Sequence, residues 1–596
     1  MIDYVAPLRD MQFILSELAR IDEIATLPGC EEATPDLVAA ILEEAGKFAA
    51  GVLAPINREG DEQGCRLEED GRVTTPDGWQ QAYDQFREAG WLGLALPAEF
   101  GGQGMPKVVA TPVSEMWCAT NMAFNMLPIL NQGQAEALLI AASDEQKALY
   151  LPKVVSGEWG ATMNLTEPQA GSDLAATRTR AEPQADGSYK LFGQKIFISY
   201  GEHELTPNIV HLVLARLPDA PAGVKGLSLF VVPKYLVNAD GSLGARNDVR
   251  CISIEHKMGI HGSPTCTLSF GDAGGAIGHL VGQPNRGLET MFVMMNEARF
   301  GVGVQGVGLA DRAYQFALAY ARDRVQGRDA VTGEAGRPII HHPDVKRMIL
   351  SMRARVMAMR ALLYTAAGWF DLAHKHPDGE VAGKYRRYVD LLMPVAKGWC
   401  TEVGNDVCDD ALQIFGGMGF VEETGISQYF RDARIITIYE GTTGIQANDL
   451  VGRKILRENG ATLRELIVEL REVVAALKQD GELGDVGDGL GDAIDELESA
   501  TDWMLANGKE QLADVLAGAV PFLYLLGTVS GGWQLARMAL AARHRLASGE
   551  GDAAYLGSLV ELARFYMATI GPQARAHAET VREAGGALTR FDLAQL

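Results

Sequence analysis

The sequence predicts an α+β protein in which helices come first, a β-domain follows, and helices resume to the end. Three observations carry this expectation. Apolar residues recur at helical spacing through roughly the first 158 positions. Near residue 160 the pattern changes to short runs of β-branched, aromatic and aliphatic residues separated by turn-rich pieces. Near Gly287 the helical period returns. At 596 residues the chain is too long for one hydrophobic core. The changes of pattern divide it at 1–158, 159–282, 283–458 and 459–596.

The first helical region is marked by LVAAILEEAGKFAAGVLAPI (37–56), and LPAEFGGQGMP reads as a loop. The strands are YKLFGQKIFIS (189–199), IVHLVLARL (209–217), LSLFVVP (227–233) and CTLSF (266–270). Turns such as LPDAPAGVKG and NADGS part them, which predicts a compact antiparallel β-domain. In the second helical region Leu309, Ala313, Phe316, Ala317 and Tyr320 share one face. The tail opens on an amphipathic stripe of Leu463, Leu466, Ile467, Leu470, Val473, Val474 and Leu477. The stretch GELGDVGDGLGD (481–492) reads as a flexible acidic linker or loop. Residues 515–536 carry no charge and are long enough to span a bilayer. Gly518, Pro521, Gly527, Gly531 and Gly532 interrupt them, so a buried helix pair broken at the glycines is expected, not a transmembrane span.

Charge excludes one class of partner. The net charge of −24 leaves no basic footprint for nucleic acid. It fits a cytoplasmic protein kept in solution by self-repulsion. Seven cysteines form no C-x-x-C pair and are odd in number. That argues against a disulfide framework or a zinc site and for a reducing compartment. The start, MIDYVAPLRDMQF, lacks the pattern of a signal peptide.

One apparent cofactor motif fails on context. Gly301, Gly303 and Gly306 match G-x-G-x-x-G, with Asp323 near the acidic position. A dinucleotide site needs a strand before the glycines. Here LETMFVMMNEARF reads as helix, so the match is expected to be either chance or a set of glycines that let helices pack closely.

The remaining motifs act as a set: MNLTEPQAGSDLAA (163–176), KIFISYGEH (195–203), HKMGIHGSPTCTLSF (256–270), NEARF (296–300), RDRVQGR (322–328) and QIFGGMGFVEETGISQYFRDARIITIYEGTTGIQ (413–446). Over about residues 30–456 this series resembles the acyl-CoA dehydrogenase family. The last segment is the most specific, with its Q-x-x-G-G turn and R-D-A-R-I-x-x-I-Y-E-G-T. The resemblance implies an N-terminal helical domain, a central antiparallel β-domain and a C-terminal four-helix bundle, here followed by an additional helical domain.

It also implies FAD as cofactor. Met163, Leu165 and Thr166 would face the flavin pyrimidine, with Gly171 and Ser172 beside the flavin and the CoA arm. Phe197, Ile198 and Ser199 would lie along the ring, the serine hydroxyl donating to N5. Arg324 would serve the pyrophosphate, often of a neighbouring subunit. Gln413, Gly416 and Gly417 would hold the adenosine end, and Thr442 and Thr443 would add contacts. Asn296, Arg299, Ser172, Tyr439 and Gly441 would meet the acyl-CoA, Gly441 by leaving room for the thioester. The chain departs from the family pattern at Phe197 for Trp, Asn296 for Asp, Pro343 for Gln and Gly444 for Gln.

The implied reaction is α,β-dehydrogenation of an acyl-CoA thioester. Glu440 is the matching base for the α-proton, and desolvation by substrate would strengthen it. Hydrogen bonds to the thioester oxygen would stabilise the enolate-like charge, while hydride leaves the β-carbon for the flavin. Electrons would pass to an electron-transfer flavoprotein, and a homodimer or homotetramer is implied. The leading segment and the tail resemble a longer bacterial subgroup that includes fatty acyl-CoA and 3-methylmercaptopropionyl-CoA dehydrogenases. A fatty acyl chain is the more general expectation. An acyl-CoA oxidase using O₂ is a rival. A DNA-associated flavoprotein would need a basic tail, which this acidic one is not.

Overall fold

The computed structural model describes residues 3–595. In chain order the first helices are α1 (Leu8–Glu17), α2 (Ile21–Ile24), α3 (Pro35–Phe48), α4 (Ala54–Gln63), α5 (Trp79–Glu88), α6 (Lys107–Ala141) and α7 (Asp144–Val155). A π-turn, Ala49–Leu53, joins α3 to α4. Within α6 the helix is broken at Asn121, whose φ is −158° and ψ 87°. Helix α7 starts on a capping box in which Ser143 and Gln146 satisfy each other's backbone N–H groups. Two short strands, β1 (Arg66–Leu67) and β2 (Val73–Thr74), form a ribbon within this otherwise helical region.

The β-region holds β3 (Trp159–Asn164), β4 (Arg180–Pro183), β5 (Tyr189–Ser199), β6 (Asn208–Arg216), β7 (Leu227–Pro233), β8 (Tyr235–Val237), β9 (Leu243–Arg246), β10 (Val249–Ile254), β11 (Thr265–Phe270) and β12 (Ala276–Val281). Helices then run to the end. They are α8 (Gly287–Asp323), α9 (Pro343–Lys375), α10 (Gly379–Pro394), α11 (Cys400–Phe415), α12 (Ile426–Ala433), α13 (Thr443–Asp449) and α14 (Ala461–Gln479). The last are α15 (Gly484–Asn507), α16 (Leu512–Ala517), α17 (Ala519–Ser548), α18 (Ala553–Thr569) and α19 (Gln573–Thr589).

The chain folds into two compact units. One holds Lys47–Met105 and Thr120–Gly301; the other holds the chain up to Gly46, Pro106–Ala119 and everything from Val302. In the first, among the described residues, eight strands form one sheet in the order β10-β11-β5-β12-β7-β6-β3, with β4 paired to both β5 and β6. The pairings β5-β12-β7-β6-β4-β5 therefore close a ring. Its interior is apolar, with Ala181, Leu191, Val213, Ala215, Phe230, Val232 and Ala276 all fully buried.

The expectation of an antiparallel β-domain needs one correction. Strands β3 and β4 both run parallel to β6. Parallel neighbours require a crossover rather than a hairpin. The connection from β3 to β4 must therefore travel back along the ring, and it is this connection, residues 165–179, that carries the TEPQAGSD motif.

In the other unit the glycines of α8 are contact points. A Cβ at Gly303 would lie 2.5 Å from the Ala396 carbonyl oxygen, and one at Gly306 2.7 Å from that of Cys400. Close helix packing is thus what these glycines serve. The tail belongs to this same unit. Helix α10 meets α14 through Lys384 and Glu469 (2.6 Å) and through Arg387 and Glu465 (2.9 Å).

One expectation for the tail is overturned and one is narrowed. Residues 481–492 are not a linker, because α15 begins at Gly484. Val486, Leu490, Ile494 and Leu497 are fully buried along its inner face, and Gly487 is the close approach, 3.1 Å from Leu477 Cβ for an added methyl. Residues 515–536 do fall on a pair of helices, α16 and α17, but the inner glycines do not break them. The break falls at Gly518 alone, and α17 runs on through Pro521, which sits in its first turn where no helical N–H is lost. Its inner glycines face large rings: a Cβ at Gly527 would lie 2.1 Å from the Trp399 indole. No helix among the described residues is long and apolar enough to cross a membrane.

At the centre of this unit lies a buried charge cluster. Arg360, fully buried on α9, donates to Glu115 of α6 at 2.6 and 2.9 Å and to Asp311 of α8 at 2.8 Å. Tyr364 donates to the other Glu115 oxygen at 2.7 Å. Beside it, Asp10 of α1 accepts from Arg353 (2.8 Å) and from Tyr555 of α18 (3.0 Å). Replacing Arg360 by methionine strands two buried carboxylates without a cation. That should cost roughly 3–5 kcal/mol and lower the thermal midpoint by several degrees. A midpoint within about 2 °C of the parent would show that the cluster is not needed.

Candidate active site

In the β-unit the TEPQAGSD crossover is held down by a buried ion pair. Lys195 of β5 donates to Glu167 (2.9 Å) and to the Leu165 carbonyl (2.9 Å), and both side chains are buried. Glu167 also accepts from the N–H of Arg178 and of Thr179 and from the Thr179 hydroxyl. Burial pulls the Lys195 ammonium down to about 8. Burial pushes Glu167 up, but Lys195 and the hydrogen bonds outweigh it and hold the carboxyl below its usual range. The Ile196 N–H donates to the Thr166 carbonyl at 2.9 Å. These bonds bring Met163, Leu165 and Thr166 beside the strand that bears Phe197, Ile198 and Ser199.

That strand is irregular where the motif falls. The register of β5 against β11 shifts between Cys266 and Leu268, which is a β-bulge. Phe197 sits in it with φ 60° and its ring 59% exposed. A large aromatic at positive φ on a bulge is strained and solvent-facing, a combination found at functional sites. Ile198, by contrast, is 2% exposed in the core, so only its backbone can serve a ligand. Ser199 is half-buried, and Gly171 and Ser172 are exposed. On α8 Asn296 is exposed, whereas Arg299 is buried and is no surface arginine.

The HKMGIHG stretch contains a cationic histidine. His261 Nδ1 faces the Asp61 carboxylate at 3.0 Å and its carbonyl at 2.9 Å, and Nε2 faces the Lys257 carbonyl at 2.8 Å. Both ring nitrogens thus meet acceptors and both must donate, which only imidazolium can do. The bond to Asp61 accordingly raises its pKa to about 9.

In the helical unit the remaining motif residues fall into two groups. Arg324 follows α8, exposed, its N–H bonded to the Tyr320 carbonyl. Tyr320 stacks on Phe415 at 4.1 Å between centroids. Phe415 ends α11 and Gly416, with φ 59°, turns the chain. This stack brings Arg324 to the same end of the bundle as Gln413, Gly416 and Gly417, which are all exposed.

The second group surrounds Glu440. Glu440 is half-buried in the loop between α12 and α13, with φ 55°, and Gly441 follows with φ 90°. The Tyr439 hydroxyl donates to Gln305 of α8, and burial pushes its pKa well up. Thr442 caps α13, accepting from the Ile445 N–H at 3.4 Å. The Thr443 hydroxyl donates to Glu402 of α11 at 2.5 Å. Gly441 has a structural reason beyond room for a thioester: a Cβ there would lie 2.8 Å from Gln446 Nε2.

Sequence patterning overlooked the residues that do the holding. Lys195 could have been found as a charge at a buried strand position, with Glu167 in the adjoining motif as its partner. Glu402, Gln305 and Gln446 lie on helices whose periodicity gives no such signal.

Profiles described as acyl-CoA dehydrogenase N-terminal, middle and C-terminal domains match residues 36–158, 162–273 and 285–455. One described as acetyl-CoA dehydrogenase C-terminal like matches 466–592. The chain belongs to the acyl-CoA dehydrogenase family. It is 46% identical over 593 residues to 3-methylmercaptopropionyl-CoA dehydrogenase of Ruegeria pomeroyi, covering 99% of this chain and 100% of that one. It is 35% identical over 588 residues to a butyryl-CoA dehydrogenase of Syntrophomonas wolfei, covering 96% and 95%. The fold matches that of an acyl-CoA dehydrogenase from Bacillus anthracis complexed with FAD, at TM-score 0.73 and 22% identity over 96% of this chain and 91% of that one. Members of the family are FAD-using oxidoreductases of the CH–CH bond of acyl-CoA.

His261 gives a pH test. Its raised folded pKa adds stability that is complete below its unfolded value of about 6.5 and is lost as pH rises through about 9. His261→Gln should therefore melt below the parent at pH 6 and converge with it at about pH 10. An equal gap at both values would show that His261 is not held as a cation.

Proposed function

We propose that this chain dehydrogenates a short linear acyl-CoA at Cα–Cβ, with 3-methylmercaptopropionyl-CoA favoured and a fatty acyl-CoA of similar length the second reading. The end-to-end relation to the Ruegeria pomeroyi protein at 46% identity carries the first substrate, and that to the Syntrophomonas wolfei protein the second. Glu440 is the base for the α-proton. Its own N–H is a donor for the thioester oxygen, where charge develops as the proton leaves.

FAD, when bound, supplies the acceptor for the hydride that leaves the β-carbon. The residues fit such a group. Gly171 and Gly417 have no positive φ, and an added Cβ would have no neighbour within 4 Å. Packing inside the chain does not ask for glycine at either place, whereas close approach of a ligand to the backbone does. Phe197 offers an exposed ring for a flat partner. Met163, Leu165, Thr166, Ser172, the Ile198 backbone and Ser199 hold the flavin end. Gln413, Gly416, Thr442 and Thr443 hold the rest, the last with its hydroxyl proton on Glu402. Arg324 extends from the chain with no hydrogen bond or ion pair from its side chain among the described residues, which suits an anion on a second copy. Asn296, Arg299 and Tyr439 serve the acyl-CoA. Electrons leave to an electron-transfer flavoprotein, and the protein works as a cytoplasmic homodimer or homotetramer.

The test is anaerobic bleaching of the flavin by acyl-CoAs of graded length, including 3-methylmercaptopropionyl-CoA and butyryl-CoA. The two short thioesters should bleach fastest; a preference for long chains would sink the substrate assignment. Glu440→Gln should retain FAD and bleach about 10³-fold more slowly. Near-parental bleaching in that variant would remove Glu440 as the base.

A further inference from the structure

Gln446 lies on α13, six residues past Glu440, and its side chain is 1% exposed. Its Nε2 donates to the carbonyl of Glu440 at 3.1 Å and to that of Gly441 at 3.4 Å. These are the two residues with consecutive positive φ. For a glutamate that conformation is intrinsically unfavourable and persists only where its surroundings impose it. The orientation of the amide is settled by its partners. Turned over, Oε1 would face two carbonyl oxygens. As it stands, Oε1 is buried with no hydrogen-bond partner among the described residues. The side chain thus gives up one bond to keep its donor end on the Glu440 loop.

Close packing on two sides holds the side chain there. At Gly441 an added Cβ would lie 2.8 Å from Nε2. Behind it, a π-turn spans Val395–Trp399 between α10 and α11. At Gly398 in that turn an added Cβ would lie 3.4 Å from Gln446 Cβ and 2.5 Å from Leu523 Cδ2. Leu523 is fully buried on α17, a helix of the tail. The π-turn is therefore packed between Gln446 and the tail.

We infer that Gln446 is a positioning residue for Glu440: its amide clamps the two loop carbonyls and fixes the left-handed backbone that aims the carboxylate, with α17 backing the clamp. This rests on the reading of Glu440 as the base. It assigns the tail a part in the chemistry, since the helix that supports the clamp lies beyond residue 459.

The test uses the full-length holoenzyme. Gln446→Met keeps the shape and loses the donor. It should retain FAD and bind the enoyl-CoA product within about threefold of the parent, yet bleach roughly 10- to 100-fold more slowly. Amide hydrogen exchange over residues 438–446 should accelerate, and Leu523→Ala should move it the same way by less. Gln446→Glu adds a pH signature. A neutral carboxyl can donate to a loop carbonyl and a carboxylate cannot, so its bleaching rate relative to the parent should recover as pH falls. Unchanged exchange over 438–446, bleaching within twofold of the parent, or a flat rate ratio for Gln446→Glu would each overturn the clamp. Glu440→Gln run alongside separates the two readings: normal bleaching there removes the base, whereas the exchange result bears on the clamp alone.

Discussion

The buried guanidinium of Arg360 is the constraint around which the helical unit is arranged. A fully buried cation is tolerated only where carboxylates meet it with good geometry. Glu115, Asp311 and Asp10 come from three different helices, α6, α8 and α1, and Tyr364 and Tyr555 complete their bonding. Moving any one of these helices would leave a charge uncompensated. The cluster therefore joins the start of the chain, the long bundle helices and the tail at a defined register. Apolar packing alone, which tolerates sliding, would not do this.

Around that fixed register, glycines set how closely the helices approach. On α8 and α17 they place backbone or small side-chain surface directly against Ala396, Cys400 and Trp399. The Glu440 loop and α13 are seated on this framework. The β-unit uses the same device on a smaller scale. Lys195 and Glu167 are buried beneath a crossover whose residues proposed to meet the flavin, Gly171 and Ser172, are exposed. In both units most of the groups proposed to meet ligands face outward or are half-buried, Leu165, Ile198 and Arg299 being the buried exceptions, and the groups that hold them are charge-paired or hydrogen-bonded.

Much of the proposed site is legible in the sequence because its residues are contiguous. The run ending in IYEGT identifies Glu440, and TEPQAGSD and KIFIS identify their segments, since a short motif keeps its spacing whatever the chain does elsewhere. Long-range partners were not legible. Gln446 shows as one polar residue in GIQANDL, and its pairing with the Glu440 carbonyl depends on a positive φ that no periodicity reveals. The acidic glycine-rich run at 481–492 was misread for a related reason. Gly487 looks like flexibility in sequence, yet it is a packing contact once Leu477 is opposite. The same holds for Gly527 and Trp399.

By itself, then, the sequence determined the helix-sheet-helix order and the family, and it singled out Glu440 as the carboxylate proposed as base, because these depend on local period and local spacing. It also denied Gly303 and Gly306 the strand that a dinucleotide site needs, and of the two readings left, chance or helix packing, the structure selects packing. Only the tertiary structure decided that β3 and β4 run parallel to β6, that 484–492 is helix, and that α17 backs the π-turn beside Gln446. Each of these is a choice of partner between residues far apart in the chain. Such choices follow from burial, charge pairing and steric fit, which act only when the chain has closed on itself.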